Sequence, residues 1–269
     1  MNTIKISKLL FSTLFLWGTM ANAQHLTISN SGETTSPGTN WSIIGNVLYI
    51  GNSGSASINT SVITNHLQNT GDLTINLPEQ SNVARNIYIN NTIAYLGSSA
   101  RTLTFQSGND IVFANAVGIT SATASLNIVL RSATTTGTPD NGSIKMNGIN
   151  IDTKGGHLWV GGGASTTTWN GLNVGNSAAR TYLDDVAGIS VVGSTIASGG
   201  GNIYMYGLSW NSSDDDGVNY GINVENSNVS SGAGDINFAG GVYGRYNNGI
   251  GMRADTIFVF NFIGNQTIA

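Results

Sequence analysis

The sequence predicts an all-β fold of the solenoid type, in which short strands of successive coils stack in parallel. Three observations predict it: an internal repeat of 33 residues, strands that alternate apolar and polar residues, and a composition rich in glycine and poor in charge. The repeat is visible by eye. Residues 188–203 read GISVVGSTIASGGGNI, and residues 221–236 read GINVENSNVSSGAGDI. At this one offset Gly188/Gly221, Ile189/Ile222, Val191/Val224, Ser194/Ser227, Ser198/Ser231, Gly199/Gly232, Gly201/Gly234 and Ile203/Ile236 are identical. A third copy begins at Gly249-Ile250, after a shorter interval of 28. Looser copies lie upstream at Gly118-Ile119, Gly148-Ile149 and Gly171-Leu172. A sandwich asks each strand to differ, whereas stacked coils ask equivalent strands to repeat in register.

The strands are short and two-faced. Ile87-Tyr88-Ile89, Leu103-Thr104-Phe105, Ile149-Asn150-Ile151 and Ile222-Asn223-Val224 put one set of side chains inward and the other outward. No window has sustained helical spacing, although Thr60 to Leu67 fits a short turn of helix. Asn202, Asn226 and Asn237 read as corner residues, suited to tight turns and to ladders between coils. The triplet Gly161-Gly162-Gly163 reads as a coil corner too. At about 20–33 residues per coil, the chain after residue 23 makes roughly eight to eleven coils, a rod on the order of 40–50 Å.

Composition narrows the class of function. Charged residues are 9% of the chain, so the polar surface falls to Ser, Thr, Asn and Gly. With 36 glycines and 3 prolines, many short turns are expected, and 40% hydrophobic content argues against disorder. Without cysteine there are no disulfides and no thiolate metal sites. Beyond residue 23 the only lysines are Lys145 and Lys154, which leaves no electrostatic footprint for nucleic acid and no polybasic patch for anionic lipid.

The N-terminus reads as an export signal. Lys5 and Lys8 precede an apolar stretch from Leu9 to Trp17, and Ala21-Asn22-Ala23 supplies a small-residue cleavage site. The apolar run is too short to span a bilayer, so the chain is expected to be exported and not membrane-spanning. The organisation expected is a cleaved signal peptide over residues 1–23, an N-terminal capping or secretion-proximal β region over 24–70, and solenoid repeats over 71–269 that continue beyond the C-terminus. Removal of the two signal lysines leaves 8 basic against 14 acidic residues, a net charge of −6.

The export signal, the GDLTI-type strand at Gly71-Asp72-Leu73-Thr74-Ile75 and the unit GINVENSNVSSGAGDINFAGG at 221–241 together resemble the filamentous-haemagglutinin-like, β-strand-repeat exoproteins of Gram-negative bacteria. The resemblance covers most of the chain after residue 23 and is clearest from Gly148 to Phe260. It implies a right-handed parallel β-helix, secretion or outer-membrane-associated surface display, passage through outer-membrane export machinery, and a role in adhesion or biofilm. Glycans or proteins of host or neighbouring cell surfaces are the partners it implies. The NPN-type motifs of two-partner-secreted members are missing here.

Residues able to carry chemistry are few, and no catalytic, cofactor or metal site is expected. Asp214-Asp215-Asp216 lacks the spaced acidic pattern of a calcium loop and reads as a solvated loop. His25, His66 and His157 share no metal-ligand spacing. The enzymatic alternative is a polysaccharide lyase or hydrolase on the same fold, with Asp184, Asp185, Asp214, Asp216, Arg180, Arg245 and Arg253 as its candidates. A ligand-contacting strip formed by Trp210, Asp214, Asp216, Tyr243, Arg245 and Tyr246 is the candidate binding site, because Trp210 and Tyr243 are equivalent in the 33-residue repeat and aromatic faces suit sugars. The competing reading is that these aromatics cover the edge of the coil core.

Overall fold

Short alternating strands need partners on both edges and a buried face, and in this protein three largely parallel sheets supply them. The structure is a computed structural model that describes residues 24–51, 54–77, 85–134, 142–181, 187–210, 219–243, 247–252 and 266–268. The expected signal peptide, residues 1–23, lies outside the described residues. The first sheet has eight strands, the second five and the third eleven.

From Ile87 onward the chain visits the sheets in a fixed order. Ile87–Ile89 belongs to the first sheet, Ile93–Tyr95 to the second and Arg101–Ser107 to the third. The same cycle recurs in Ile111–Phe113, Gly118–Ser121 and Leu126–Ser132, and again in Ile144–Asn147, Asn150–Asp152 and Leu158–Trp169. It returns in Ala187–Val192, Thr195–Ala197 and Ile203–Trp210, then in Asn219–Glu225, Asn228–Ser230 and Ile236–Tyr243. Each strand pairs in parallel with its equivalent one cycle away, so the backbone donors and acceptors of one cycle are met by its neighbours.

The 33-residue repeat is one such cycle. Ile189 faces Ile222 in the first sheet, Ile196 faces Val229 in the second and Ile203 faces Ile236 in the third. The shorter interval is real as well, since Ile222 faces Ile250. The expected ceiling of about 33 residues fails at one place. Ile144 faces Ile189, Ile151 faces Ile196 and Leu158 faces Ile203, each 45 residues on. The excess is an inserted antiparallel hairpin, Leu158–Trp169 with Leu172–Ser177, followed by the strand Ala179–Thr181.

Register converts the alternating pattern into continuous apolar columns. In the first sheet Leu26, Ile87, Ile111, Ile144, Ile189, Ile222 and Ile250 face one another in succession. The second sheet stacks Ile93, Ile119, Ile151, Ile196 and Val229. The third stacks Leu48, Ile75, Phe105, Leu130, Val160, Met205, Phe238 and Ile268. All of these up to Phe238, Ile250 excepted, are buried in a single core cluster, and each such side chain contributes roughly 1.5–3 kcal/mol by leaving water.

The identities within the repeat also have hydrogen-bonding reasons. Thr153, Ser198 and Ser231 are buried, and each hydroxyl donates to the carbonyl three residues on, at Gly156, Gly201 and Gly234. Ser194 accepts the Ile149 N–H at 3.1 Å, and Ser227 accepts the Ser194 N–H at 3.0 Å. Close stacking dictates Gly201 and Gly234: a Cβ at Gly201 would lie 2.0 Å from the Gly156 carbonyl oxygen, and one at Gly234 would lie 2.2 Å from that of Gly201. Of the expected corner asparagines, Asn226 turns the chain with φ +49°. Asn237 does not, because it lies inside the strand Ile236–Tyr243.

Chain order breaks at the N-terminal end. Leu26–Ser29 sits between Ala56–Asn59 and Ile87–Ile89, so the later strand takes the outer place in the first sheet. Asn59 then caps a ten-residue helix, Thr60–Asn69, by accepting the Ser61 N–H at 2.9 Å. The helix is longer than the single turn expected, and it buries Val62, Ile63, His66 and Leu67 while packing against Ile93–Tyr95, the end strand of the second sheet. The third sheet ends in the antiparallel hairpin Trp41–Ile44 and Val47–Ile50.

The columns make a direct prediction. Ile144→Ala, at a position with no exposed surface between Ile111 and Ile189, should cost about 2–5 kcal/mol in urea unfolding, whereas Thr195→Ala on the exposed face should stay within about 0.5 kcal/mol. Equal effects of the two substitutions would contradict the assignment of inner and outer faces.

Candidate functional site

The outer face of the third sheet carries three columns of side chains. The first runs Asp72, Thr102, Asn127, His157, Asn202 and Asp235, at or next to the start of successive strands. It is a hydrogen-bond ladder: Asp72 accepts the Thr102 N–H at 2.8 Å, Asn127 accepts that of His157 at 2.9 Å, His157 Nδ1 accepts that of Asn202 at 2.9 Å, and Asn202 accepts that of Asp235 at 2.9 Å. The expectation that Asn202 joins a ladder is met here, with a histidine as one of the rungs.

The second column is Thr74, Thr104, Val129, Trp159, Tyr204 and Asn237. Its apolar middle would face water, and the inserted hairpin covers it. Past Val160 the strand Leu158–Trp169 stops pairing with Ile203–Trp210 and turns into the hairpin. Gly161-Gly162-Gly163 is therefore the place where a strand peels away, and not a coil corner. A Cβ at Gly161 would lie 2.7 Å from the Trp159 ring, and one at Gly162 would lie 2.3 Å from the Ala178 carbonyl oxygen. The turn itself is Asn170-Gly171, with φ +45° and +76°.

Leu172 and Val174 of the returning strand pack on Val129 and Trp159, with Trp169 and Tyr204 at the margin. Trp159 and Tyr204 stack with centroids 6.4 Å apart and planes 9° apart; Trp169 lies 5.8 Å from Tyr204 and 5.7 Å, edge to face, from His157. Burial raises the Tyr204 phenol pKa, with Tyr206 adding to it.

The third column, Asn76, Gln106 and Arg131, lines a groove of about 470 Å³ together with Thr134, Ala164, Ser165 and Thr166. Arg131 is buried, and it ties the departing strand to the sheet: Nε donates to the Gly163 carbonyl at 2.8 Å, and Nη2 donates to those of Ala164 at 2.7 Å and Ser165 at 3.2 Å. Burial lowers the pKa of its guanidinium. The described lining offers a guanidinium, amides and hydroxyls, a set of donors and acceptors with no carboxylate among them.

The expected ligand strip falls largely elsewhere. Trp210 and Tyr243 pair across neighbouring strands, as the repeat requires. Asp214, Asp216, Arg245 and Tyr246 lie outside the described residues, as do Asp184, Asp185 and Arg253 of the enzymatic alternative. Arg180 lies in the strand Ala179–Thr181 and donates to the Ser177 hydroxyl at 2.8 Å. The histidines are dispersed: His25 packs edge to face on Tyr88, His66 sits in the helix beside the Asp72 carbonyl, and His157 is in the ladder. Among the described residues no group of three or more His, Asp or Glu is placed to hold a metal ion, and no helix is long and apolar enough to cross a membrane.

Arg131 and the hairpin residues were not among the expected site residues. The sequence did carry a signal for the hairpin: Asn170-Gly171 between the alternating runs Thr166 to Trp169 and Leu172 to Val174.

Fold and groove together define a mostly-β protein of three parallel sheets with a polar, open binding surface on one outer face. Comparison with family models, with curated proteins and with solved structures yields no match.

The ladder predicts a pH dependence. Burial lowers the His157 pKa below 6.5, and its Nδ1 must stay unprotonated to accept the Asn202 N–H. As the pH falls the unfolded chain binds the proton first, so this contribution is complete above about pH 6.5 and is lost progressively below it. His25, also lowered by burial against an opposing pull from Asp110, acts in the same direction. His157→Asn, which keeps an acceptor at the rung, should lose less melting temperature between pH 7 and pH 5 than the parent chain; an identical loss would remove His157 from the explanation.

Proposed function

We propose that this chain is an exported, right-handed parallel β-solenoid that serves as a surface or secreted binding module of the adhesin type, and that the groove beside Arg131 contacts a glycan. The solenoid reading is supported by the fixed cycle through three sheets and by the in-register pairing of equivalent strands across five complete cycles. Export is supported by the three-part signal at residues 1–23, and surface display by the resemblance to filamentous-haemagglutinin-like exoproteins.

One observation carries the binding reading: a hairpin inserted into an otherwise regular cycle walls a groove of about 470 Å³ whose described lining, Ala164 apart, is polar and uncharged except for Arg131. Stacked coils have no need of such an insertion for their own stability, and loops held on a rigid scaffold are where recognition concentrates. Amides and hydroxyls at fixed spacing suit the many hydroxyls of a sugar. The described lining holds no carboxylate to act as acid or base, which favours binding over depolymerisation at this surface.

A glycan panel read for both binding and product release tests the proposal. The full chain should retain at least one glycan class and release no oligosaccharide, and Gln106→Ala should weaken retention about fivefold, the worth of one hydrogen bond near 1 kcal/mol. Product formation proportional to protein concentration would favour the polysaccharide-degrading alternative. Expressed with its leader in a Gram-negative host, the chain should be recovered with Gln24 as its N-terminal residue, and retention of Met1 on exported protein would remove the signal-peptide reading.

A further inference from the structure

The outer face of the third sheet holds a buried cation without a counter-ion. Arg131 is 5% exposed, and its three hydrogen bonds go to the neutral backbone carbonyls of Gly163, Ala164 and Ser165. These use Nε and Nη2. Nη1 has no protein partner among the described residues, and Arg131 takes part in no ion pair there. A desolvated charge is costly unless an opposite charge compensates it, and carbonyl dipoles do so only in part. The uncompensated guanidinium also lines a cleft whose volume, about 470 Å³, is in the range that holds small ligands.

The surroundings narrow what the missing anion is. Asn76 and Gln106 stand in register beside Arg131, and Thr134, Ser165 and Thr166 complete the polar rim. An acidic peptide would bring one charge and apolar stems to a surface with Ala164 as its apolar patch, whereas a sugar ring brings hydroxyls on every side. We propose that the groove binds a carboxylate-bearing saccharide, a uronic acid unit, with its carboxylate on Arg131 Nη1 and its hydroxyls on the side chains of Asn76, Gln106 and Thr166. This rests on the reading above that the outer face of the third sheet contacts a glycan, and it adds the charge class of that glycan. Binding is non-covalent, and no bond is made or broken.

The test uses the full chain and isothermal titration calorimetry with four probes: a galacturonic acid trimer, the neutral galactose trimer, a glutamate hexapeptide and acetate. The uronate trimer should bind at least tenfold more tightly than each of the others, and its affinity should fall as salt rises. Arg131→Gln should abolish the preference, but it also removes the anchor of the hairpin. Gln106→Glu keeps that anchor and places a carboxylate in register with the guanidinium, so it should lower uronate affinity at least tenfold while leaving the melting temperature unchanged or raised.

Equal affinity for the neutral and acidic trimers would overturn the uronate assignment and leave the glycan reading standing. Peptide or acetate binding as tight as the uronate trimer would overturn the saccharide assignment. Unchanged uronate affinity in Gln106→Glu would overturn the placement at Arg131, and failure of both trimers to bind would overturn this inference together with the glycan reading.

Discussion

Parallel pairing between equivalent strands, held in one register through every cycle, is the constraint on which the rest of this molecule depends. A strand has a side-chain period of two, so a slip of one residue would turn every isoleucine of the first-sheet column outward and every polar neighbour inward. The columns Ile111, Ile144, Ile189, Ile222 and Ile93, Ile119, Ile151, Ile196 are the penalty for such a slip made visible. Apolar burial therefore sets the register, and the hydrogen bonds follow it.

The corners obey the same constraint at closer range. Successive turns approach so nearly that backbone meets backbone, which is why Gly201 and Gly234 cannot carry a side chain and why Thr153, Ser198 and Ser231 are small hydroxyl residues bonded to carbonyls three residues on. On the outer face the ladder Asp72 to Asp235 passes an acceptor from one rung to the next N–H. These groups differ chemically, Asp, Asn and His, but each offers a lone pair at the same height. The position constrains the acceptor and leaves the residue type free, apart from the titration that histidine brings.

A register set by the inner face leaves the outer face open to insertion. The hairpin Leu158–Ser177 lengthens one cycle without disturbing the pairing of Ile144 with Ile189 or of Leu158 with Ile203. It brings its own small core, Leu172 and Val174 on Val129 and Trp159, and it is tied down by Arg131 through three backbone carbonyls. Regularity inside and departure outside are thus compatible because they use opposite faces of the same strands. The groove exists where the departing strand leaves the sheet, so the recognition surface is a by-product of how the insertion is anchored.

By itself the sequence determined the all-β class, the length of a cycle between Gly188 and Ile236 and the inward residues of most strands. These are local or periodic properties: alternation over three residues and identity at a fixed offset survive in one dimension. It also paired Trp210 with Tyr243. Only the tertiary structure decided that Leu26–Ser29 lies between Ala56–Asn59 and Ile87–Ile89, that Thr60–Asn69 packs on the end of the second sheet, and that Asn76, Gln106 and Arg131 line one groove. Asn76 and Arg131 are 55 residues apart in the chain, and nothing in the identity of either announces the other. Their meeting depends on how many residues each intervening cycle spends between strands, a quantity that varies from 24 to 45 here and that no local pattern encodes.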